Sequence, residues 1–354
     1  MTSKERVMAA FAHQPVDRVP MWCGASPEFM KKARDFLNAA DDEAVSLRFH
    51  DDFRRVFSRY CGPDAFHAEK NAALGKTVSV FGVERCGIGY GQPISHPLAG
   101  ASLAQIHAYP WPKADWYDVS HIREDALAFD GQYAILGGEW CPFFHDAIDL
   151  LGMENLMLLM YDEPELVTAT LTHIVDFYCE VSRRIFEAAE GAIDIFFLGN
   201  DFGSQTGPLL GKELFDQFFM PQLHRLAALG HRYHLKVQLH CCGSFAPLIP
   251  SMIAAGIDAL QSLQPITPDM QPSVLKATFG DRIVLNGCVD SIRVLINGTP
   301  DFVREQTLKT LTEMLSGGGF ILSPSHDYLL EETPVENALA FYDTGFQYRA
   351  AISG

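Results

Sequence analysis

The amino-acid sequence predicts an α/β fold: a single (β/α)8 TIM barrel, with a β-hairpin inserted after the second strand, forming one domain over residues 1–354. Two observations carry the expectation. In the second half, a helical stretch ends at glycine and a short β-rich run follows, five times over. That alternation is the mark of parallel strands wound with helices. In the first half, three further β-like segments bring the strand count to eight, the number that closes a parallel sheet into a barrel. The 354 residues, 48% of them hydrophobic, suit one such unit with a large core. No internal repeat, low-complexity tract or linker divides them.

The elements follow in order. The opening MTSKERVMAAFAHQPVDRVP has no apolar run of signal-peptide or membrane-span length, so a cytoplasmic protein without membrane association is expected. Residues 19–24 are the first expected strand and 53–60 the second. KTVSVFGVERCGIGYGQPISHP, at 76–97, holds two β-like runs among glycines and is read as the hairpin. Residues 133–139 are the third strand. Beyond it Gly191 precedes AIDIFFLGN, Gly230 precedes HRYHLKVQLH, Gly256 precedes IDALQSLQ, Gly280 precedes DRIVLNG, and the glycines at 317–319 precede FILSPS. Glycine at such joints suits the left-handed residue that closes a helix. Asp162 with Pro164, Thr299 with Pro300, and Thr333 with Pro334 are read as helix starts, a capping residue followed by proline in the first turn. Leu214, Phe215, Phe218, Phe219, Leu223 and Ala227 recur at helical spacing as a buried stripe, with Pro221 expected to kink the helix.

A formal charge of −17 argues against a nucleic-acid groove, which needs a surplus of Lys and Arg on one face. The eight cysteines are scattered through a long chain without a secretory signal. They are read as buried small side chains, ligands or nucleophiles rather than a disulfide framework.

Reactive groups of such barrels sit at the C-terminal strand ends, and here LHCCGS is the most informative. Alternate residues of a strand point the same way, so His240 and Cys242 share a face while Cys241 faces the helices. One imidazole and one thiolate suit zinc, and a third protein ligand would leave the open position a catalytic zinc requires. His326, after the last strand, is the first choice for that ligand, and Cys288, at the end of the seventh, the alternative. The same pair would also serve as a hydrogen-bonded histidine in the barrel mouth. Asp201 and Gln205, in GNDFGSQ, are read as orienting a substrate, with helix capping the other reading of Asp201. Glu139, ending the third strand, is an acid–base group or a reserve ligand. Trp22, Phe29, Trp140, Phe143, Phe144 and Phe202 form an apolar wall around a substrate or, taken singly, ordinary core.

The runs GNDFGSQTGPLL, VQLHCCGSFAPLIPSMIAAGIDALQSLQP, GDRIVLNGCVD and GGGFILSPSHDYLLEETPVENALAFYD, with the opening ERVMAAFAHQPVDRVPMW, resemble the core motifs of the uroporphyrinogen decarboxylase superfamily. They look closest to its zinc-dependent, methylcobamide-type methyltransferase branch. The resemblance implies an α/β barrel and zinc held by His-x-Cys plus a later residue. It also implies methyl transfer between a small-molecule donor or acceptor (a thiol, a folate, or a methylated O, N or S compound) and a corrinoid, carried by a corrinoid-binding partner protein. A homodimer is compatible with it. Where the coenzyme M methyltransferases have a cysteine in the last loop, this sequence has His326. True uroporphyrinogen decarboxylases resemble one another in an arginine-rich segment after strand one. Here that region reads VPMWCGASPEFMKKARDF, without arginines where the carboxylates would be gripped. A decarboxylase of a tetrapyrrole or smaller acid, and a non-catalytic ligand-binding barrel, stand as the alternatives.

Overall fold

The computed structural model describes residues 1–66, 76–87, 91–129 and 131–349. Its centre is one sheet of seven parallel strands in sequence order: β1 (Phe53–Arg55), β2 (Ala134–Gly137), β3 (Ile195–Gly199), β4 (Lys236–His240), β5 (Ala259–Leu263), β6 (Val284–Val289) and β7 (Phe320–Pro324). From β2 to β7 almost every strand residue is buried, as expected of a parallel sheet covered on both faces.

The expected first strand is reduced to a single parallel bridge, Met21 to Leu322 of β7. Trp22 N–H donates to Leu322 O (3.0 Å), and on the other side Asp52 N–H donates to Met21 O (3.0 Å). The segment thus lies between the two edge strands, an arrangement consistent with a TIM-like barrel. Pro20 has no N–H and cannot add a donor rung. What holds the segment is Asp52, whose carboxylate accepts from Met21 N (2.8 Å), Arg6 Nη1 (2.8 Å) and Arg18 Nη1 (2.7 Å). A fully buried carboxylate is tolerable only when paired and hydrogen-bonded in this way.

The second strand also departs from expectation. It ends at Arg55, and Arg59–Tyr60 pairs instead with Tyr117–Asp118 in a separate antiparallel ribbon. In place of a plain hairpin at 76–97, the described residues hold three short antiparallel strands, Lys76–Val78, Glu84–Cys86 and Gln92–Pro93; residues 88–90 of that stretch lie outside the description. Helix starts follow the sequence in part. Thr299 caps Pro300–Met314, accepting from Phe302 N. Pro164 opens the 26-residue helix Pro164–Ala189, but Glu163 rather than Asp162 precedes it, with no side-chain cap. Pro334, not Thr333, flanks Val335–Gln347. Ahead of Pro221 the chain makes a π-helical turn, Phe215–Phe219, before the helix Met220–Arg232. A proline that cannot donate displaces the helical hydrogen bonds around it. No described helix is long and apolar enough to cross a membrane.

Inside the sheet the side chains are layered. Phe53, Leu136, Ile195, Phe197, Val284 and Ile321 pack with Trp22 and with Val7, Ala10 and Phe11 of the first helix, Ser3–Phe11, as one apolar cluster. Gln238, Gln261 and Asn286 of β4 to β6 are fully buried polar residues, with Asn286 Nδ2 donating to Gln238 Oε1 (3.3 Å). His240 stands two residues further along β4.

Candidate metal centre

The last residue of β4 and the loop after it meet the loop after β3. His240 Nε2 lies 3.4 Å from Cys242 Sγ and 3.4 Å from Asp201 Oδ1. The donor atoms of Asp201, His240 and Cys242 all fall within 4.8 Å of one another. Bond lengths of about 2.0–2.3 Å around a tetrahedral zinc place neighbouring donors about 3.4–3.6 Å apart, so the two measured edges match the spacing such an ion demands. The imidazole is correctly turned. Its Nδ1–H donates to Gln261 Oε1 (2.6 Å), leaving Nε2 for a metal, the usual orientation of a ligating histidine. The donor set of nitrogen, sulfur and carboxylate oxygen fits zinc.

Backbone contacts hold the two loops together. A Cβ on Gly203 would sit 2.5 Å from Cys242 O, and one on Gly243, where φ is +83°, would sit 2.6 Å from the Gly203 carbonyl carbon. Only glycine permits that approach. Ser244 N–H donates to Ser204 O (2.8 Å), and Cys242 N–H donates to Asp201 Oδ1 (2.8 Å). Asp201 therefore caps no helix, and its carboxylate joins the His240–Cys242 cluster instead. Burial pushes its carboxyl up, but the pairing with His240 and the Cys242 N–H outweighs it and holds the group well below the carboxylate range. Burial likewise disfavours charge on His240, and the contacts with Asp201 and Cys242 override it, raising its pKa. The cluster favours a positive charge at its centre, which an imidazolium or a bound cation can supply.

The cluster lines a cavity of about 410 Å³ at the C-terminal ends of the strands. His326 lines it too, with Nδ1 accepting from Tyr328 N–H (3.1 Å), but it stands outside the tight group. Cys288 is not brought there. It is buried beside Asp290 and Glu313 on a separate cavity, because it points toward the helices rather than into the barrel mouth. Of the expected aromatic wall, Trp140 lines the same cavity and the others are core. Trp22 packs edge-on to Phe53 (5.3 Å) and Phe197 (5.0 Å). Phe29 packs against Phe49 (6.1 Å), and Phe144 stacks on Phe202 (5.5 Å) with Phe219 across its edge. Trp22 thus belongs to the layer inside the sheet, and the fully buried rings of Phe29, Phe143, Phe144 and Phe202 belong to the packing between helices and sheet. Gln205 is exposed and donates to Gln264 Oε1 (3.3 Å). Glu139 lines a neighbouring cavity of about 330 Å³ with Arg55, Tyr60 and Tyr117. There burial raises its carboxyl pKa against the opposing effects of the Ser58 hydroxyl and Arg55. Trp140 and Tyr328 border both cavities.

Sequence reasoning missed the far wall. It is built by His145, Asp146 and Asp149 of the helix Phe143–Leu151 and by Arg85 of the inserted strands. Arg85 pairs with Asp149, and Asp146 Oδ2 accepts from Tyr178 OH (2.6 Å). Burial holds the Asp146 carboxyl up at about 7, against the Tyr178 hydrogen bond. A signal existed: two acids three apart interrupt the apolar run FFHDAIDLL, and acids rarely enter a buried stripe without a task. Nothing in the sequence marked Arg85.

Comparison with known proteins agrees with this architecture. The model of the family described as uroporphyrinogen decarboxylase (URO-D) matches residues 119–348. The uroporphyrinogen decarboxylase of Xanthomonas euvesicatoria is 24% identical over 353 residues, covering 90% of each chain. That of Alkalilimnicola ehrlichii is 23% identical over 372, covering 97% of this chain and 93% of its own. Among solved structures, a methyltransferase from Methanosarcina mazei superposes with a TM-score of 0.68 at 21% identity, covering 98% of this chain and 99% of that one. It shares the fold.

Proposed function

We infer that this chain, which belongs to the uroporphyrinogen decarboxylase family, is a zinc-dependent methyltransferase that moves a methyl group between a small molecule and a corrinoid carried by a partner protein. The observation that carries the reading is the spacing of Asp201, His240 and Cys242. Those three residues would hold the metal, with His326 on the same cavity as a further donor. Zinc bound there supplies Lewis acidity to the sulfur, oxygen or nitrogen atom that gains or loses the methyl group. The chain's own residues do the rest. Gln261 fixes the tautomer of His240, the Gly203–Gly243 contact fixes the distance between the loops, and Trp140 and Tyr328 border the space beside the donors.

The names of the curated relatives favour a second reading, decarboxylation of a tetrapyrrole. The described walls of the cavity are a poor match to a polycarboxylate. They carry one guanidinium, Arg85, already paired with Asp149, and three further carboxylates. A ligand rich in carboxylates requires guanidinium partners in numbers this cavity lacks among its described residues.

Metal analysis of the purified protein tests the proposal. One equivalent of zinc is expected in the wild type, with loss in H240A and C242S. A protein that neither co-purifies with zinc nor binds it when supplied would end this reading.

A further inference from the structure

The cavity beside the cluster is lined by the described carboxyl groups of Asp146, Asp149, Asp201 and Asp327. Asp201 belongs to the cluster, Asp149 is paired with Arg85, and the Oδ1 of Asp327 is buried. Asp146 is placed differently. It stands one turn from Asp149 on the helix Phe143–Leu151, so both reach the cavity. Its Oδ2 accepts from Tyr178 OH (2.6 Å), on the helix Pro164–Ala189. No described residue hydrogen-bonds its Oδ1, which is left to the cavity. A carboxyl fixed through one oxygen and open at the other keeps its position while it gains or loses a proton. The charged and titratable groups that face it are Asp149 on its own helix, Arg85 of the inserted strands, and Tyr178, Tyr117 and Cys141, all three kept neutral by burial. Burial, with help from Asp149, holds the Asp146 carboxyl up at about 7 against Tyr178 and Arg85. A proton carrier works best when its pKa lies near the operating pH.

We propose that Asp146 is a catalytic residue whose Oδ1 exchanges the substrate's proton during methyl transfer. The inference rests on the methyltransferase reading and fills a role that reading leaves open. A thiol, alcohol or amine carries a hydrogen on the atom that takes the methyl group, so its methylation must release one proton. The bond from sulfur, oxygen or nitrogen to that hydrogen breaks. The proton passes to Asp146 Oδ1, and the electron pair stays on the heteroatom. That pair forms the bond to the methyl carbon, while the pair of the broken carbon–cobalt bond leaves with the corrinoid. In the reverse direction the heteroatom keeps the pair of its bond to the methyl carbon, and Asp146 returns the proton to it.

Calorimetric titration of the zinc-loaded protein with 2-mercaptoethanol, in buffers of different ionisation enthalpy, counts the protons released to solution. Zinc holds a thiol as thiolate, so each binding event frees a proton. At pH 8 Asp146 is ionised and takes it up. At pH 6 Asp146 is already protonated, and the proton goes to the buffer. The wild type should therefore release about one proton at pH 6 and close to none at pH 8, and D146N about one at both. D327N, which alters another carboxyl on the cavity, should release protons as the wild type does. Y178F removes the hydrogen bond that favours the ionised form, so its changeover should move to higher pH, and it serves as the second variant should D146N fail to fold. No thiol binding by the zinc-loaded protein, equal release by wild type and D146N at pH 8, a D327N that behaves as D146N, or an unmoved changeover in Y178F overturns the proposal. Zinc stoichiometry is read separately. A protein that holds zinc but fails these tests refutes only the role of Asp146, and one that takes up no zinc refutes the reading beneath it.

Discussion

Replacing Gln261 by methionine should loosen the metal without touching a metal ligand. Gln261 is fully buried, and its Oε1 lies 2.6 Å from His240 Nδ1. Methionine keeps the volume and removes the acceptor. The Nδ1–H would then be a buried donor without a partner, at a cost of about 1–3 kcal/mol. The imidazole escapes that cost by carrying its proton on Nε2 instead, the atom that faces Asp201 and Cys242. Metal binding must reverse the tautomer and so bears the cost. Zinc affinity should fall 10–100-fold, or about 1.4–2.7 kcal/mol. Competition against a chromophoric chelator at fixed pH measures it. Q261E, which restores an acceptor, should bind at least as tightly as the wild type. Gln238 lies in the same buried layer and accepts from Asn286, so Q238M is the control for losing a buried acceptor that does not serve His240. Zinc affinity of Q261M within twofold of the wild type, or equal losses in Q261M and Q238M, would refute the reasoning.

Two other expectations concern the walls. The Asp146 carboxyl is held at about 7 in the folded protein against an ordinary 3.8. Between those values the native state keeps a proton that the unfolded chain has released, so stability falls as pH rises through the window and the full cost, up to about 4 kcal/mol, is reached above it. D146N removes the ionisation and keeps an acceptor for Tyr178. Its melting temperature relative to the wild type should therefore be higher at pH 8 than at pH 5, and an equal difference at both would contradict this. F202A should cost about 3–5 kcal/mol in urea denaturation with zinc stoichiometry unchanged, because the ring is fully buried against Phe144, Phe215 and Phe219. A small loss of stability with loss of ligand binding would return Phe202 to the substrate wall.

The residues that the sequence made legible are those whose meaning is local. Glycine marked the joints before β3 and β5 to β7, although Gly230 lies inside the helix Met220–Arg232, and a spacing of two residues kept His240 and Cys242 close even though β4 ends at His240 and Cys242 lies in the loop after it. The first strand was misjudged because its rungs depend on Asp52, more than thirty residues away, and on a proline that removes one donor. Phe29, Phe144 and Phe202 look the same in sequence whether they line a pocket or fill a core, and only the packing between helices and sheet decides. Asp201 was balanced between two uses until the Cys242 N–H, 41 positions later, took its oxygen. Gln261 and Arg85 act through partners brought near by the winding of the chain, and no spacing rule reaches them.

The contact between Gly203 and Gly243 has a consequence for how such a protein lives in a cell. Its loops are latched by main-chain atoms, none of which is a metal donor, so the cradle is cast before any ion enters it. Stripping the metal should drain the site and leave the scaffold standing, unlike a zinc finger, which collapses when emptied. On the proposed zinc reading, the polypeptide could be made, stored and charged later, its working fraction set by how much zinc the surroundings lend it.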